Sequence, residues 1–336
     1  MDLRTNYMGI ELKNPIIIGA SNLATNLQMV KKLEDAGAAA IVYKSLFEEQ
    51  LHLEAAELED DLHEYDERNA EMTSLFPKIE HSGPKAHLLA LKKLKEAVSI
   101  PVIASLNCIY DVSWVDYAKY LEQTGVDGLE LNFYNTISNV EKTPAMIEDL
   151  RIEILKKVKA AVKIPVSVKL SPFYTNLMNV VYRMDKQGVD GLVLFNKLFQ
   201  PDIDINDESL KMPYNLSHKG DNRLSLRFAG LLSGNMKANI CSNTGIMDGD
   251  DLIAMLLAGS DAVQVVSTIY KNGVIQISRM LDELAAWMDK KGYKSLDEFK
   301  GKLSKKNLKQ PYAYKRAQYV DFLMKSKEFL IKYPIN

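Results

Sequence analysis

The chain has 336 residues, 47% apolar and 26% charged, the composition of a soluble globular protein that buries a substantial core. Disordered, collagen-like and small disulfide-framed folds are thereby excluded. Lys and Arg number 42 against 44 Asp and Glu, a net charge of −2 that supplies no basic stripe for nucleic acid, so no nucleic-acid partner is expected.

The N-terminal segment 1–6 lacks the charged-then-apolar layout of a secretion signal, and no apolar run approaches the roughly 18 residues of a membrane helix. A cytoplasmic location without a membrane partner follows as an expectation. Cys108 and Cys241 are the only cysteines, and the five histidines show no ligand spacing, so neither a disulfide framework nor a metal is expected.

In chain order, eight short apolar runs are expected as strands near residues 15–20, 39–44, 101–106, 127–133, 165–170, 190–196, 238–243 and 261–267. They alternate between two sequence forms. The first opens on a turn with Pro or a polar residue, as in Asn14-Pro15-Ile16-Ile17-Ile18, Ile100-Pro101-Val102, Ile164-Pro165-Val166 and Ala238-Asn239-Ile240. The second follows a helix-capping glycine, as in Ala36-Gly37-Ala38, Thr124-Gly125-Val126, Gln187-Gly188-Val189 and Ala258-Gly259-Ser260, the joint from a helix into a buried parallel strand. Amphipathic stretches lie between the runs. Ile277, Met280, Leu281, Leu284 and Met288, for instance, share one helical face.

Eight β–α units close a (β/α)8 TIM barrel, an α/β fold in one domain. The rival doubly wound sheet would want a Gly-x-Gly-x-x-Gly turn after an early strand, and none is present. Residues 1–310 are therefore read as one barrel and 311–336 as a C-terminal helical extension, with Tyr319 to Tyr333 as its helix. Insertions of about 46–86 and 197–226 leave from strand C-termini and read as lid or dimer-contact segments. The first carries eleven acids between Glu48 and Glu71 against Arg68 alone and reads as a solvated face, or as a dock for a basic partner. Lys300, Lys302, Lys305, Lys306 and Lys309 read as a solvated tail.

Barrel enzymes build their sites where strands end, so the closing residues of each run share one mouth. These include Ser21, Lys44 and Ser45, Cys108, Asn132, Tyr134, Asn135, Lys169, Asn196, Thr244 and Gly245, and Ser267 and Thr268. Amides, hydroxyls and lysines without a carboxylate speak against a glycosidase or a divalent-metal lyase and for an anionic ligand. Thr244, Gly245, Ser267 and Thr268 close strands 7 and 8, where barrels bind phosphate on backbone N–H groups. Lys44 and Lys169 each end an apolar run and suit either support of negative charge on a ring or Schiff-base chemistry.

These residues resemble the dihydroorotate dehydrogenase family, most closely its soluble class 1 branch, over roughly residues 5–305. The resemblance is carried in order by Asn14-Pro15 with Gly19-Ala20-Ser21, Tyr43-Lys44-Ser45, Glu130-Leu131-Asn132, Val168-Lys169-Leu170-Ser171-Pro172, Phe195-Asn196, Asn243-Thr244-Gly245-Ile246, Val263-Gln264-Val265 and Gly292-Tyr293. It implies a flavin oxidoreductase of pyrimidine biosynthesis with FMN across the mouth. Ala20, Ser21, Lys44, Ser45, Asn132, Lys169 and Asn196 would contact the flavin, while Thr244, Gly245, Ser267 and Thr268 take its phosphate. Asn132, Asn135 and Asn196 would bind substrate.

The sequence departs from the family in three places. The family's catalytic-base loop here reads Asn132-Phe133-Tyr134-Asn135-Thr136-Ile137, which puts Asn135 at the base position and leaves Tyr134 or Cys108 as the candidate base, with Lys44 beside them. The family's substrate loop is replaced by Glu71-Met72-Thr73-Ser74-Leu75-Phe76-Pro77. Its glycine-rich stretch is replaced by Arg223-Leu224-Ser225-Leu226-Arg227-Phe228. Orotate chemistry, flavin chemistry on a different small anionic or heterocyclic substrate, a Schiff-base lyase and a non-catalytic flavin subunit are the readings in play. Expected partners are a small-molecule substrate, a second copy in a homodimer, and an electron-transfer protein.

Overall fold

The computed structural model describes residues 1–48, 84–108, 111–134, 138–198, 200–213 and 216–309, with a few single positions beyond. Eight parallel strands form its centre: β1 Ile16–Ile18, β2 Ala40–Val42, β3 Val102–Asn107, β4 Gly128–Asn132, β5 Val166–Leu170, β6 Gly191–Leu194, β7 Asn239–Asn243 and β8 Ala262–Val265. Each pairs with the next, and the pairing of Val263 with Ile16 closes the ring. All eight coincide with the runs expected from sequence. The fold is a (β/α)8 barrel.

The four joint glycines explain why those runs were readable. Gly37, Gly125, Gly188 and Gly259 have φ of 109°, 84°, 78° and 115°, the left-handed turn that ends a helix and redirects the chain into a strand. The helices between the strands include α1 Leu27–Asp35, α2 Lys85–Ala97, α3 Asp111–Glu122, α4 Pro144–Ala161, α5 Leu177–Lys186, α6 Arg223–Leu232 and α7 Gly249–Ala258. After β8 come the short α8, Ser267–Asn272, and α9, Gln276–Lys291. Helix α9 buries Ile277, Met280, Leu284 and Met288, and Leu281 packs beside them as its spacing predicts.

Side chains alternate along each strand, so every second residue enters the barrel. At the bottom the interior is apolar, with Ile17, Ala40, Val42, Ile103, Val193 and Cys241 in one cluster. A hairpin absent from the sequence reading, Thr5–Tyr7 paired with Ile10–Leu12, drives Tyr7 and Met8 into this cluster and plugs the barrel. Gly191 makes the space, because a Cβ there would lie 2.8 Å from both the Tyr7 hydroxyl and Met8. Further up, the inward positions turn polar, as in Glu130, Asn132, Lys169 and Gln264.

In segment 294–309, Lys302, Lys305, Lys306 and Lys309 are exposed as expected, but the segment is not a free tail. Its backbone bonds to the barrel's helices, with Gly301 N–H to Leu256 O, Leu303 N–H to Leu257 O and Lys305 N–H to Gly230 O, each at 2.8 Å. Lys300 is drawn in by Asp261 at 3.0 Å. The second insertion holds an exposed hairpin, Asp202–Asp204 with Ser209–Lys211, and gives way to α6 at Arg223. Most of the first insertion, its acidic run and the expected helix of Tyr319 to Tyr333 lie outside the described residues. Among the described residues no helix is long and apolar enough to cross a membrane.

Candidate active site

The exits of β1 to β8 converge on the mouth. A one-residue bulge shapes its β2 side: Val42 is opposite Ile103 but Leu46 is opposite Leu106, so four steps on one strand match three on the other. Inward parity therefore holds for Lys44 before the bulge and for Ser45 after it. Ser45 is buried with its hydroxyl 2.7 Å from that of Ser105, and Asn132 Nδ2 donates to Ser45 at 3.4 Å. Asn132 Oδ1 is buried with no hydrogen bond among the described residues, an acceptor that a ligand N–H would satisfy. Ala20 and Ser21 are half-buried at the β1 exit, where Ser21 Oγ donates to Gly19 O.

Amides brace neighbouring exits. Asn107 Nδ2 donates to the carbonyls of Asn132 and Tyr134 at 2.7 and 3.0 Å, Asn196 Nδ2 to Lys169 O at 3.4 Å, and Asn243 Nδ2 to Phe195 O at 3.2 Å. Between the exits of β5, β6 and β7 lies a cavity of about 430 Å³, bordered by Phe173, Asn196, Lys197, Asp221 and Thr244. That is the size of a small-ligand pocket. Burial raises the Asp221 carboxyl, but bonds from His218 N–H and from Lys197 Nζ at 3.0 Å outweigh it and hold the group below the usual range.

At the β7 and β8 exits the backbone N–H groups of Gly245, Ile246, Ser267 and Thr268 make no hydrogen bond among the described residues. Asn243 is opposite Gln264, so the two exits, with these donors, are side by side. Each hydroxyl here has a partner. Thr268 Oγ1 is buried and donates to Met247 O at 2.8 Å, and Ser267 Oγ accepts from Ser217 N–H at 2.9 Å. Thr244 Oγ1 donates to Phe195 O at 3.0 Å.

Lys169 is buried under the mouth, with its Nζ 3.0 Å from Gln264 Oε1 and 3.7 Å from Glu130 Oε1. Gln264 Nε2 donates to Glu130 Oε2 at 2.5 Å. Glu130 and Gln264 are not among the site residues expected from sequence. Their signal was available: a Glu and a Gln inside the apolar runs Gly128-Leu129-Glu130-Leu131 and Ala262-Val263-Gln264-Val265 must find polar partners when buried. Of the candidate bases, Cys108 is buried after β3 and Tyr134 is half-buried after β4. Asn135 lies outside the described residues.

His87, on α2, meets the edge of Tyr43 at 5.0 Å and has a buried Nε2 with no hydrogen bond among the described residues. Burial, then the charge of Lys44, pulls its pKa from 6.5 to about 4. Between those values the unfolded chain binds a proton that the folded protein does not, so stability is lost as pH falls through that window. The loss from this group is expected to reach about 3 kcal/mol near pH 4. Urea unfolding of wild type and His87→Gln at pH 7 and pH 4 should show the variant less acid-sensitive by that amount; parallel losses would mean that native His87 carries a proton.

The eight strands close a (β/α)8 barrel, with N–H donors at the β7 and β8 exits and amides and lysines at its mouth. The family model for dihydroorotate dehydrogenase matches residues 79–288, more than half of the chain, and the protein belongs to that family. It is an oxidoreductase acting on a CH–CH donor, and the family brings a flavin cofactor.

Curated relatives are similar over nearly the whole chain. Dihydroorotate dehydrogenase B (NAD(+)), catalytic subunit, of Methanocaldococcus jannaschii is 26% identical, covering 89% of this chain and 97% of that protein. The protein of the same name from Thermoplasma volcanium is 28% identical over 89% and 98%. NAD-dependent dihydropyrimidine dehydrogenase subunit PreA of Escherichia coli is 24% identical, covering 89% of this chain and 76% of that protein. The residues present fit a flavin cofactor: N–H donors stand at the β7 and β8 exits, buried Asn132 Oδ1 has no hydrogen bond among the described residues, and Lys169 brings a buried positive charge.

Proposed function

We propose that the protein is an FMN-dependent dehydrogenase that oxidises dihydroorotate to orotate in pyrimidine biosynthesis. The observation that carries the reading is the set of N–H donors at the β7 and β8 exits that make no hydrogen bond among the described residues, together with the buried Lys169 on β5, two strands from β7. When bound, FMN supplies the hydride acceptor. The N–H groups of Gly245, Ile246, Ser267 and Thr268 hold its phosphate, and Thr244 fixes the loop through Phe195 O. Ala20, Ser21 and Ser45 border the ring. Lys44 and Lys169 set positive charge where negative charge develops. Asn132 and Asn196, with Asn135, orient the substrate, and Tyr134 Oη or Cys108 Sγ receives the proton from substrate carbon.

The protein works as a single barrel over residues 1–310 with an extension at 311–336, in the cytoplasm, as a homodimer. Relatives named as catalytic subunits support an electron-transfer partner. Asn135 at the family's base position favours a second reading, the same flavin chemistry on a different small ring substrate, and the dihydropyrimidine dehydrogenase relatives point the same way. Family membership sets the Schiff-base reading aside.

Purified protein should be yellow and release FMN on denaturation. Anaerobic addition of dihydroorotate is expected to bleach the flavin absorbance. Bleaching by dihydrouracil alone would move the assignment to the second reading, and bleaching by neither would remove both substrates.

A further inference from the structure

Three buried side chains under the mouth form one chain of contacts. Glu130 is 1% exposed, Gln264 1% and Lys169 7%. A carboxylate so deep is costly unless it is paired and hydrogen-bonded. Glu130 Oε2 accepts from Gln264 Nε2 at 2.5 Å, while Oε1 has no hydrogen bond among the described residues and lies 3.7 Å from Lys169 Nζ. The ammonium in turn donates to Gln264 Oε1 at 3.0 Å. Among the described residues that is its one hydrogen bond, which leaves further N–H protons of a buried cation uncommitted.

The central amide can sit only one way round. Its NH2 must face the carboxylate and its oxygen must face the ammonium, so both contacts are charge-assisted and the amide dipole lies along the line between the two charges. Gln264 thus links an acid on β4 to a cation on β5 across the barrel interior. Other groups at this depth are neutral. Burial, with the charge of Glu130 adding to it, pushes the Tyr7 hydroxyl and the Cys241 thiol well above their ordinary values.

We propose that Glu130, acting through Gln264, is a positioning residue that holds Lys169 in place and sets how much of its positive charge reaches the cofactor. The inference rests on the flavin reading above. In that role Glu130 touches neither cofactor nor substrate. It lowers the flavin's reduction potential by partly cancelling the lysine beneath the ring, and it stops the uncommitted ammonium from swinging toward the mouth.

The potential of the bound flavin, read by equilibration with a redox dye, tests this without turnover. Glu130→Gln keeps the size and the hydrogen-bond capacity but removes the charge. The oxidised-to-reduced ratio at a fixed solution potential is expected to fall about tenfold, a rise of about 30 mV for a two-electron couple. Glu130→Asp keeps the charge and withdraws it by one methylene, so a smaller rise is expected, and this variant decides the sign if the amide variant fails to fold. Wild-type potential in both, or a fall in either, would overturn the inference while leaving the flavin reading intact. Wild-type protein that binds no flavin would instead overturn the reading on which the inference stands, and it is scored before any substitution is made.

Discussion

Gly245→Asp is expected to purify colourless and to bind FMN at least a thousandfold more weakly than wild type, a loss of about 4 kcal/mol. Three effects add at one position. Gly245 has φ of 71°, where an L-residue costs about 1–2 kcal/mol. A Cβ there would lie 2.6 Å from Asn222 N and 2.8 Å from Asp221 Cβ, so backbone would have to move. The new carboxylate would then face an incoming phosphate beside Asp221, whose charge is already held in its ionised form by Lys197 and His218. Gly245→Ala brings the strain and the crowding without the charge, so it should fall between the two. Fluorescence titration of apoprotein with FMN measures all three. Full occupancy in the Asp variant would put the phosphate somewhere other than the β7 and β8 exits.

The neighbouring β7 and β8 exits were legible in the sequence because their requirements are local. A strand exit followed by Asn243-Thr244-Gly245 and another followed by Ser267-Thr268 need only adjacent strands to come together, and the joint glycines marked which strands those were. Which donors are free was less legible: the hydroxyl of Thr268 is committed to Met247 O, while the backbone N–H groups beside it make no hydrogen bond among the described residues. The Glu130–Gln264 contact joins residues 134 apart, and only barrel closure tells which inward side chains meet. The Tyr7 and Met8 plug escaped for another reason. Three-residue strands carry too little periodicity to stand out, and the space at Gly191 shows only when the barrel is built. Lys300 looked like surface charge because its partner, Asp261, is distant in sequence.

Lys169→Met is expected to change both stability and potential, in directions that a simple packing defect would not give. Methionine fills much of the lysine's volume but leaves Glu130 with Gln264 as its remaining partner. Breaking a buried ion pair from one side costs about 3–5 kcal/mol. Urea unfolding of apoprotein should show that deficit, and adding Glu130→Gln, which removes the charge left without its cation, should recover most of it. With FMN bound, loss of the cation removes support for negative charge on the reduced ring, so the potential should fall, opposite to the change expected for Glu130→Gln alone. A deficit that Glu130→Gln does not recover, together with an unmoved potential, would show that Lys169 is a spacer in the barrel and not a charge aimed at its mouth.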